Sequence, residues 1–263
     1  MTDMARKATI SICLSFCLAL ISCNSGPSSS ASSSSKKDEA AILERKAEHI
    51  ESLLARRTAA SDVLDALIST LPDRAWLTEV VFGSGNVQFR GRAPSNNLVA
   101  DYLSRLGESP SLSNLALRSS GIKIVHGRES QEFALEAAVR DSGSASATAG
   151  MPPAARLEEL EKALPSGQDT AAVLRELQRL ALDTGLRMTK FAPGAEVPGE
   201  FTSALPVAIE VSGDLAELGR YLRGLAALSR LWVVEKFSFK AASADDLRSP
   251  VRASITAKTY LLR

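Results

Sequence analysis

The sequence predicts an α+β protein built from two tandem domains of the same plan, preceded by a long amphipathic helix. Three observations carry this expectation. Apolar residues switch between a 3–4 spacing and strict alternation in the order α-β-β-α-β-β, twice over. A Gly/Ser/Ala/Thr tract at 141–150 separates the two runs. One helix-to-strand register recurs in both halves without a gap. At 263 residues the chain is long enough for two domains of roughly 100 residues each.

The N-terminus reads as an address. Arg6 and Lys7 precede an apolar run from Ala8 to Ile21, which is short of the ~20 residues a membrane-spanning helix needs. A basic segment, a short apolar segment and a small residue before a break make a secretory signal, placed at residues 1–22. Leu20-Ile21-Ser22-Cys23 resembles a bacterial lipobox, so Cys23 is the expected lipidation site and the mature chain would be lipid-anchored in the periplasm. Cys13 and Cys17 fall inside the discarded segment. Asn24 is not the aspartate that retains lipoproteins at the inner membrane in some lineages, so both membranes stay open. Residues 23–37 are rich in serine and are expected to form a tether.

From Asp38 to Leu71 there is no Gly or Pro, and Leu43, Ala47, Ile50, Leu54, Leu64, Ile68 and Leu71 form an apolar stripe interrupted at Arg57 and Ser61. The expectation is one long amphipathic helix, coiled-coil-like over 38–61 and docked on a domain at its end. The first domain is placed at 62–140. Ala75–Phe82 and Asn86–Arg92 are strands around a hairpin at Gly83-Ser84-Gly85. A helix over Ser95–Glu108 carries Leu98, Tyr102, Leu103 and Leu106. Leu112–Arg118 and Gln131–Arg140 are strands separated by a loop around Gly121 and Gly127.

Residues 141–153 are the expected linker and 154–263 the second domain. A short helix at Ala154–Leu164 ends at Pro165. Thr170 is positioned to cap a helix with Val173, Leu174, Leu177, Leu180 and Ala181, stopped by Gly185. Leu186–Phe191 and Leu205–Val211 are strands. Asp214 with Glu217 forms a capping-box pattern ahead of Leu218, Leu222 and Leu225. Leu231–Phe239 and Val251–Leu262 close the chain as strands. Gly91 and Gly213 end equivalent strands, and Tyr102-Leu103, Leu106 and Leu112 repeat as Tyr221-Leu222, Leu225 and Leu231. In each half one antiparallel sheet would bury a face under two helices, which is the ferredoxin-like solution.

Chemistry-bearing residues are scarce. Formal net charge is +1, so no basic surface suited to nucleic acid is present. All three cysteines precede residue 24, leaving the folded part without a thiol framework or cysteine metal site. The two histidines, His49 and His126, are far apart, and His49 lies off the apolar stripe as a solvated residue. Glu158-Glu159-Glu161 and Asp245-Asp246 read as solvated faces. No phosphate loop, metal-spaced cluster or nucleophile elbow occurs, so the expectation is no enzyme, no cofactor and no metal. Lys123, His126 and Arg128 sit on a loop able to touch an anion, although an ordinary surface loop explains them as well. Trp232 and Val234 alternate with Leu231 and Val233. That strand is apolar on both faces, so Trp232 and Val234 are the expected partner surface unless the chain's own elements cover them.

The segments "LDALISTLPDRAWLTEV", "FRGRA" and "SNNLVADYLSRLGESPSL" make residues 62–140 resemble the periplasmic domain of the PilN family of type IV pilus assembly proteins. "LRELQRLALDTGLRMTKFAPG", "LPVAIEVSGDLAELGRYLRGLAALSRLWVV" and "ASITAKTYLL" make residues 164–262 similar to the PilO family, with the second likeness the more specific. The resemblance implies a structural subunit of a pilus alignment platform at the inner membrane. Partners would be other pilus or secretion platform subunits, because related domain pairs serve type II secretion. Pairing of the two domains is expected either within the chain, at high effective concentration, or between copies. Family members have a cytoplasmic tail and a transmembrane helix; here a lipid anchor would take their place. The competing reading is a free-standing envelope lipoprotein that binds a ligand, the cell wall or another protein.

Overall fold

The computed structural model describes residues 30–125, 128–140, 170–244 and 249–262, with positions 157, 158, 161, 164 and 246. The leader, Cys23 and most of the expected linker and short helix lie outside the described residues. Two compact units divide the chain at Ile42/Leu43. In the first, the described part is helical from Ser30.

Helix α1 spans Ser30–Ala55 and helix α2 spans Ala59–Ser69. Two expectations change here. The helix starts inside the serine tract, seven residues before its expected end; a formed helix propagates at low cost into flanking residues that include no Gly or Pro. The single helix to Leu71 is instead two, broken at Arg56–Thr58. The break falls where Arg57 interrupts the stripe. Its guanidinium turns inward and donates to the carbonyl of Leu228.

Strands β1 (Trp76–Gly83) and β2 (Asn86–Ala93) form the expected hairpin, with Ser84 and Gly85 both at positive φ, 55° and 77°. Helix α3 covers Asn96–Gly107. The next pair is longer than expected: β3 runs Leu112–Val125 and β4 Arg128–Val139. Gly121 does not open a loop but pairs with Glu132, and beyond Gln131 the two strands continue as a ribbon past the end of β2. There β-branched Ile122 and Ile124 alternate with Lys123, a strand pattern that the two glycines mask.

The second half opens with helix α4, Thr170–Thr184. It ends where Gly185 adopts φ 91°, with Leu186 N–H bonded to Ala181 O at 2.8 Å, a Schellman termination that only glycine enters without strain. Strands β5 (Arg187–Pro193), β6 (Val197–Pro198) and β7 (Thr202–Gly213) follow; β6 was not anticipated. Helix α5, Leu215–Ala227, carries the expected capping box, with Asp214 N–H donating to the Glu217 carboxylate at 2.9 Å. Strands β8 (Trp232–Ala241) and β9 (Val251–Leu262) complete the chain.

Among the described residues all nine strands belong to one antiparallel sheet of order β3-β4-β2-β1-β8-β9-β7-β5, with β6 alongside β7. Each half contributes four main strands in the same sequence of positions: third, fourth, second, first. The halves meet where β1 pairs with β8. Lateral rows therefore cross the whole sheet. Val80 pairs with Phe89, Phe89 with Leu135 and Leu135 with Leu117. On the other side Val80 pairs with Phe239, Phe239 with Ala253, Ala253 with Val211, and Val211 with Met188. The adjacent row from Ala137 through Phe82 and Phe237 to Phe191 is equally apolar. Helices α2, α3, α4 and α5 share one core with these rows.

The opposite face is covered in one region. Ala47, Ile50 and Leu53 of α1 pack with Leu157, Leu164, Leu231, Val233 and Tyr260. This explains the break at Arg57. The chain must leave one side of the sheet and enter the other, and no straight helix does both.

Candidate interaction surfaces

The contact between the two halves is built from three layers. In the sheet, Glu79–Gly83 pairs with Lys236–Lys240, and the rings of Phe82 and Phe237 stack at 5.1 Å with an interplanar angle of 17°. Both rings are buried, 6% and 1% exposed. Above the sheet, α2 packs on α5, where Asp65 receives Arg223 at 2.8 Å and Gly219 faces Ile68. This ion pair is half-exposed and contributes little, roughly 0–1 kcal/mol. At the rim, Arg57 caps the C-terminal end of α5 through Leu228, and the Trp76 indole donates to Ala244 O at 3.0 Å. Burial lowers the pKa of Arg57 by desolvation, but a guanidinium stays charged and completes the exposed carbonyl end of the helix.

The sequence places Phe82 and Phe237 on strands and Ile68 on the helix stripe, but does not show that β1 and β8 join. The signal was present in β1. A solitary edge strand is usually guarded by lysine or proline, yet Val80, Val81 and Phe82 follow one another with neither in the strand; its one bulge lies earlier, between Leu77 and Glu79. By contrast, β5 carries Arg187, Lys190 and Pro193 and is an edge strand.

Trp232 and Val234 are not a partner surface. They are 1% and 7% exposed and belong to the main core. The strand is apolar on both faces, as expected, but the chain covers both: the helical layer takes Trp232 and Val234, and α1 takes Leu231 and Val233. A bulge between Val234 and Lys236 then returns Phe237 and Phe239 to the face of Trp232.

His49 is half-buried, not solvated. Its Nε2 lies 3.2 Å from Thr202 Oγ1, and its ring lies 6.1 Å from that of Phe201. Nearby, Lys46 pairs with Glu161 at 2.6 Å and Arg45 with Glu200 at 3.4 Å. Glu161 is therefore tied to α1, while Glu158 is exposed. Glu159, Asp245 and His126 lie outside the described residues. Lys123 is on the ribbon, 3.8 Å from Glu132, so it is part of a strand pair and not a loop.

The repeat tyrosines differ in their surroundings. Both are fully buried, and desolvation pushes both hydroxyls well above tyrosine's ordinary range. Tyr102 donates to Leu67 O at 3.0 Å, whereas the Tyr221 hydroxyl has no partner among the described residues. Large apolar side chains reach solvent at the outer strands and helices: Leu117 (46%), Ile122 (70%), Ile124 (72%) and Leu182 (77%). Among the described residues no helix is long and apolar enough to cross a membrane.

Comparison with known proteins divides the chain where the sheet does. Residues 62–139 match the family model described as fimbrial assembly protein (PilN), and residues 169–263 match the type IVa pilus alignment subcomplex PilO C-terminal domain. The type IV pilus inner membrane component PilO of Pseudomonas aeruginosa is 30% identical over 113 residues, covering 40% of this chain and 54% of that protein. The chain thus spans about half the length of that relative. A crystal structure of the type 4 fimbrial biogenesis protein PilO from P. aeruginosa aligns at 28% identity and TM-score 0.36, covering 42% of this chain and 87% of the other. The core region of PilO from the same organism aligns at 30% identity and TM-score 0.32, covering 35% and 92%.

Proposed function

We propose, from the match of residues 62–139 to the PilN family model and of residues 169–263 to the PilO family model, that the chain is a non-catalytic subunit of a type IV pilus alignment subcomplex. The observation that carries the reading is the seam. A PilN-type half and a PilO-type half share one sheet and one core, so a pairing between two domains is built into one polypeptide. Such a unit has its partner chemistry in its surface and its rigidity in the sheet, and needs no reacting group. The third-fourth-second-first strand order in each half is that of a ferredoxin-like sheet entered at its first helix, which supports two tandem ferredoxin-like domains at 62–140 and 154–263 joined by the linker at 141–153. Helix α1 spends Ala47, Ile50 and Leu53 on its own sheet, so a coiled coil with a partner would use the helix ahead of Leu43.

The anchoring proposal rests on the leader. Lipidation at Cys23 after the Ser22 boundary would hold this unit at a membrane on the periplasmic side, and the inner membrane is favoured because the PilO relative is an inner membrane component. The test is capture of the native chain from envelope extracts followed by mass spectrometry, with Cys23→Ala in parallel. Enrichment of pilus assembly subunits by the native chain, and its weakening in the variant, is the expected result. Enrichment of type II secretion subunits moves the protein to that platform. Recovery of cell-wall or unrelated outer-membrane proteins alone refutes the assembly reading.

A further inference from the structure

The seam is not two-fold. It joins the first strand of one half to the third strand of the other, so it is head-to-tail and uses one copy of each edge. The complementary edges remain: β3 is the third strand of the first half and β5 the first strand of the second, and neither is paired on its outer side among the described residues. The apolar row through Val80 gives the register. With a four-strand repeat, Leu117 takes the place of Phe239, and Met188 that of Val80. These two residues end the row; Leu117 is 46% exposed and Met188 half-buried.

The helical layer repeats the same logic independently. Superposing Ala59, Val63 and Leu67 of α2 on Val173, Leu177 and Ala181 of α4, all buried, places Ile68 on Leu182 and Asp65 on Arg179. The tyrosine register places Gly219 on Ala100 and Arg220 on Asp101. At the seam Ile68 sits over the small Gly219; at the open ends Leu182, 77% exposed, would meet the small Ala100. The seam's ion pair does not repeat: Asp65 maps on Arg179, but Arg223 maps on Ser104, and Asp101 is paired with Arg105 of its own helix at 2.9 Å.

We infer that the chain self-associates head to tail, β5 and α4 of one copy docking on β3 and α3 of a second copy by repeating the β1–β8 seam. The inference rests on the seam alone and holds or falls apart from the pilus assignment. A contact of this kind is heterologous: it closes into a ring or continues as a filament, according to the rotation per copy. Lys190 and Pro193 on β5, and the bulges in β3 at Ser113/Ala116 and Leu117/Ser119, shorten the new strand pair relative to the seam. The association is therefore reversible and concentration-dependent.

The test uses the full chain in mild detergent with Cys13, Cys17 and Cys23 replaced by serine. Facing residues of an antiparallel pair have Cα atoms about 4.5–5.5 Å apart, inside the disulfide range. Leu117→Cys and Met188→Cys are purified separately, mixed and oxidised, and the products read on non-reducing gels. The expected result is a mixed dimer from the mixture, no dimer from either variant alone, and a ladder from the double variant. Dimers from Leu117→Cys alone overturn the inference in favour of a two-fold β3 contact. Should Met188→Cys fail to fold, sedimentation velocity decides: Leu182→Arg, at an exposed position, is expected to abolish the concentration-dependent species of the native chain. A native chain that is monomeric at every concentration overturns the proposal.

Discussion

Tyr102 and Tyr221 occupy equivalent helix positions in the two halves, yet removing their hydroxyls has opposite expected effects. In α2, Thr70 N–H bonds Ala66 O and Leu71 N–H bonds Ile68 O, and the Tyr102 hydroxyl takes Leu67 O, which lies between them near the helix end. Tyr102→Phe keeps the ring against Phe89 and Phe133, at 6.2 and 5.9 Å, and leaves a buried carbonyl unsatisfied. The cost is about 1–3 kcal/mol. Tyr221→Phe removes a buried hydroxyl that has no partner, so its desolvation penalty disappears and stability is unchanged or rises by up to about 1 kcal/mol. The pH dependence follows the same residues. In the unfolded chain tyrosine ionises near pH 10, while burial holds both groups protonated in the folded chain. Above about pH 10 the unfolded state therefore binds fewer protons, and each tyrosine lowers stability by ~1.4 kcal/mol per pH unit until its folded form ionises. Stability from this source is fully present below pH 10. Urea unfolding of both variants at pH 7.5 and 11 is the assay. Each variant is expected to lose less stability between the two pH values than the native chain. Equal costs for the two substitutions at pH 7.5, or a loss above 1 kcal/mol for Tyr221→Phe, would refute the reasoning.

The seam itself is tested by a double-mutant cycle: Phe82→Ala and Phe237→Ala are each expected to cost about 3–5 kcal/mol, with a coupling of ~0.5–1.5 kcal/mol beyond additivity in urea titrations. A coupling near zero would mean that the stacked rings act independently. Ile50→Asp puts an unpaired carboxylate between α1 and the outer face of β8; strong destabilisation is expected, with faster hydrogen exchange in Leu231–Val234 than in β2. Asp214→Ala removes one side of the capping box on α5 and should cost ~1 kcal/mol in the same titrations, because Glu217 and the Asp214 N–H remain bonded.

Local chemistry carried much of the architecture. Serine-glycine at 84–85, the capping box at Asp214, Gly185 after α4 and the alternation in Val207, Ile209 and Val211 each specify an element through contacts within a few residues. The internal repeat was legible for the same reason: Tyr102 and Tyr221 each fill the core beneath their own helix at one spacing from the next strand.

What only the tertiary structure decided are matters of pairing. Hydrophobic alternation states that a strand has buried faces but not which element buries them. Trp232 and Val234 therefore read as a surface awaiting a partner, when α1 and the helical layer already supply both covers. The turn at Arg57 follows from that covering and not from any helix-breaking residue. The joining of two sheets into one through β1 and β8 likewise depends on backbone edges, whose donors and acceptors are the same for every residue except proline. Side-chain sequence thus determined the two four-stranded units almost element by element, while their fusion into one sheet belongs to the backbone and was settled by shape.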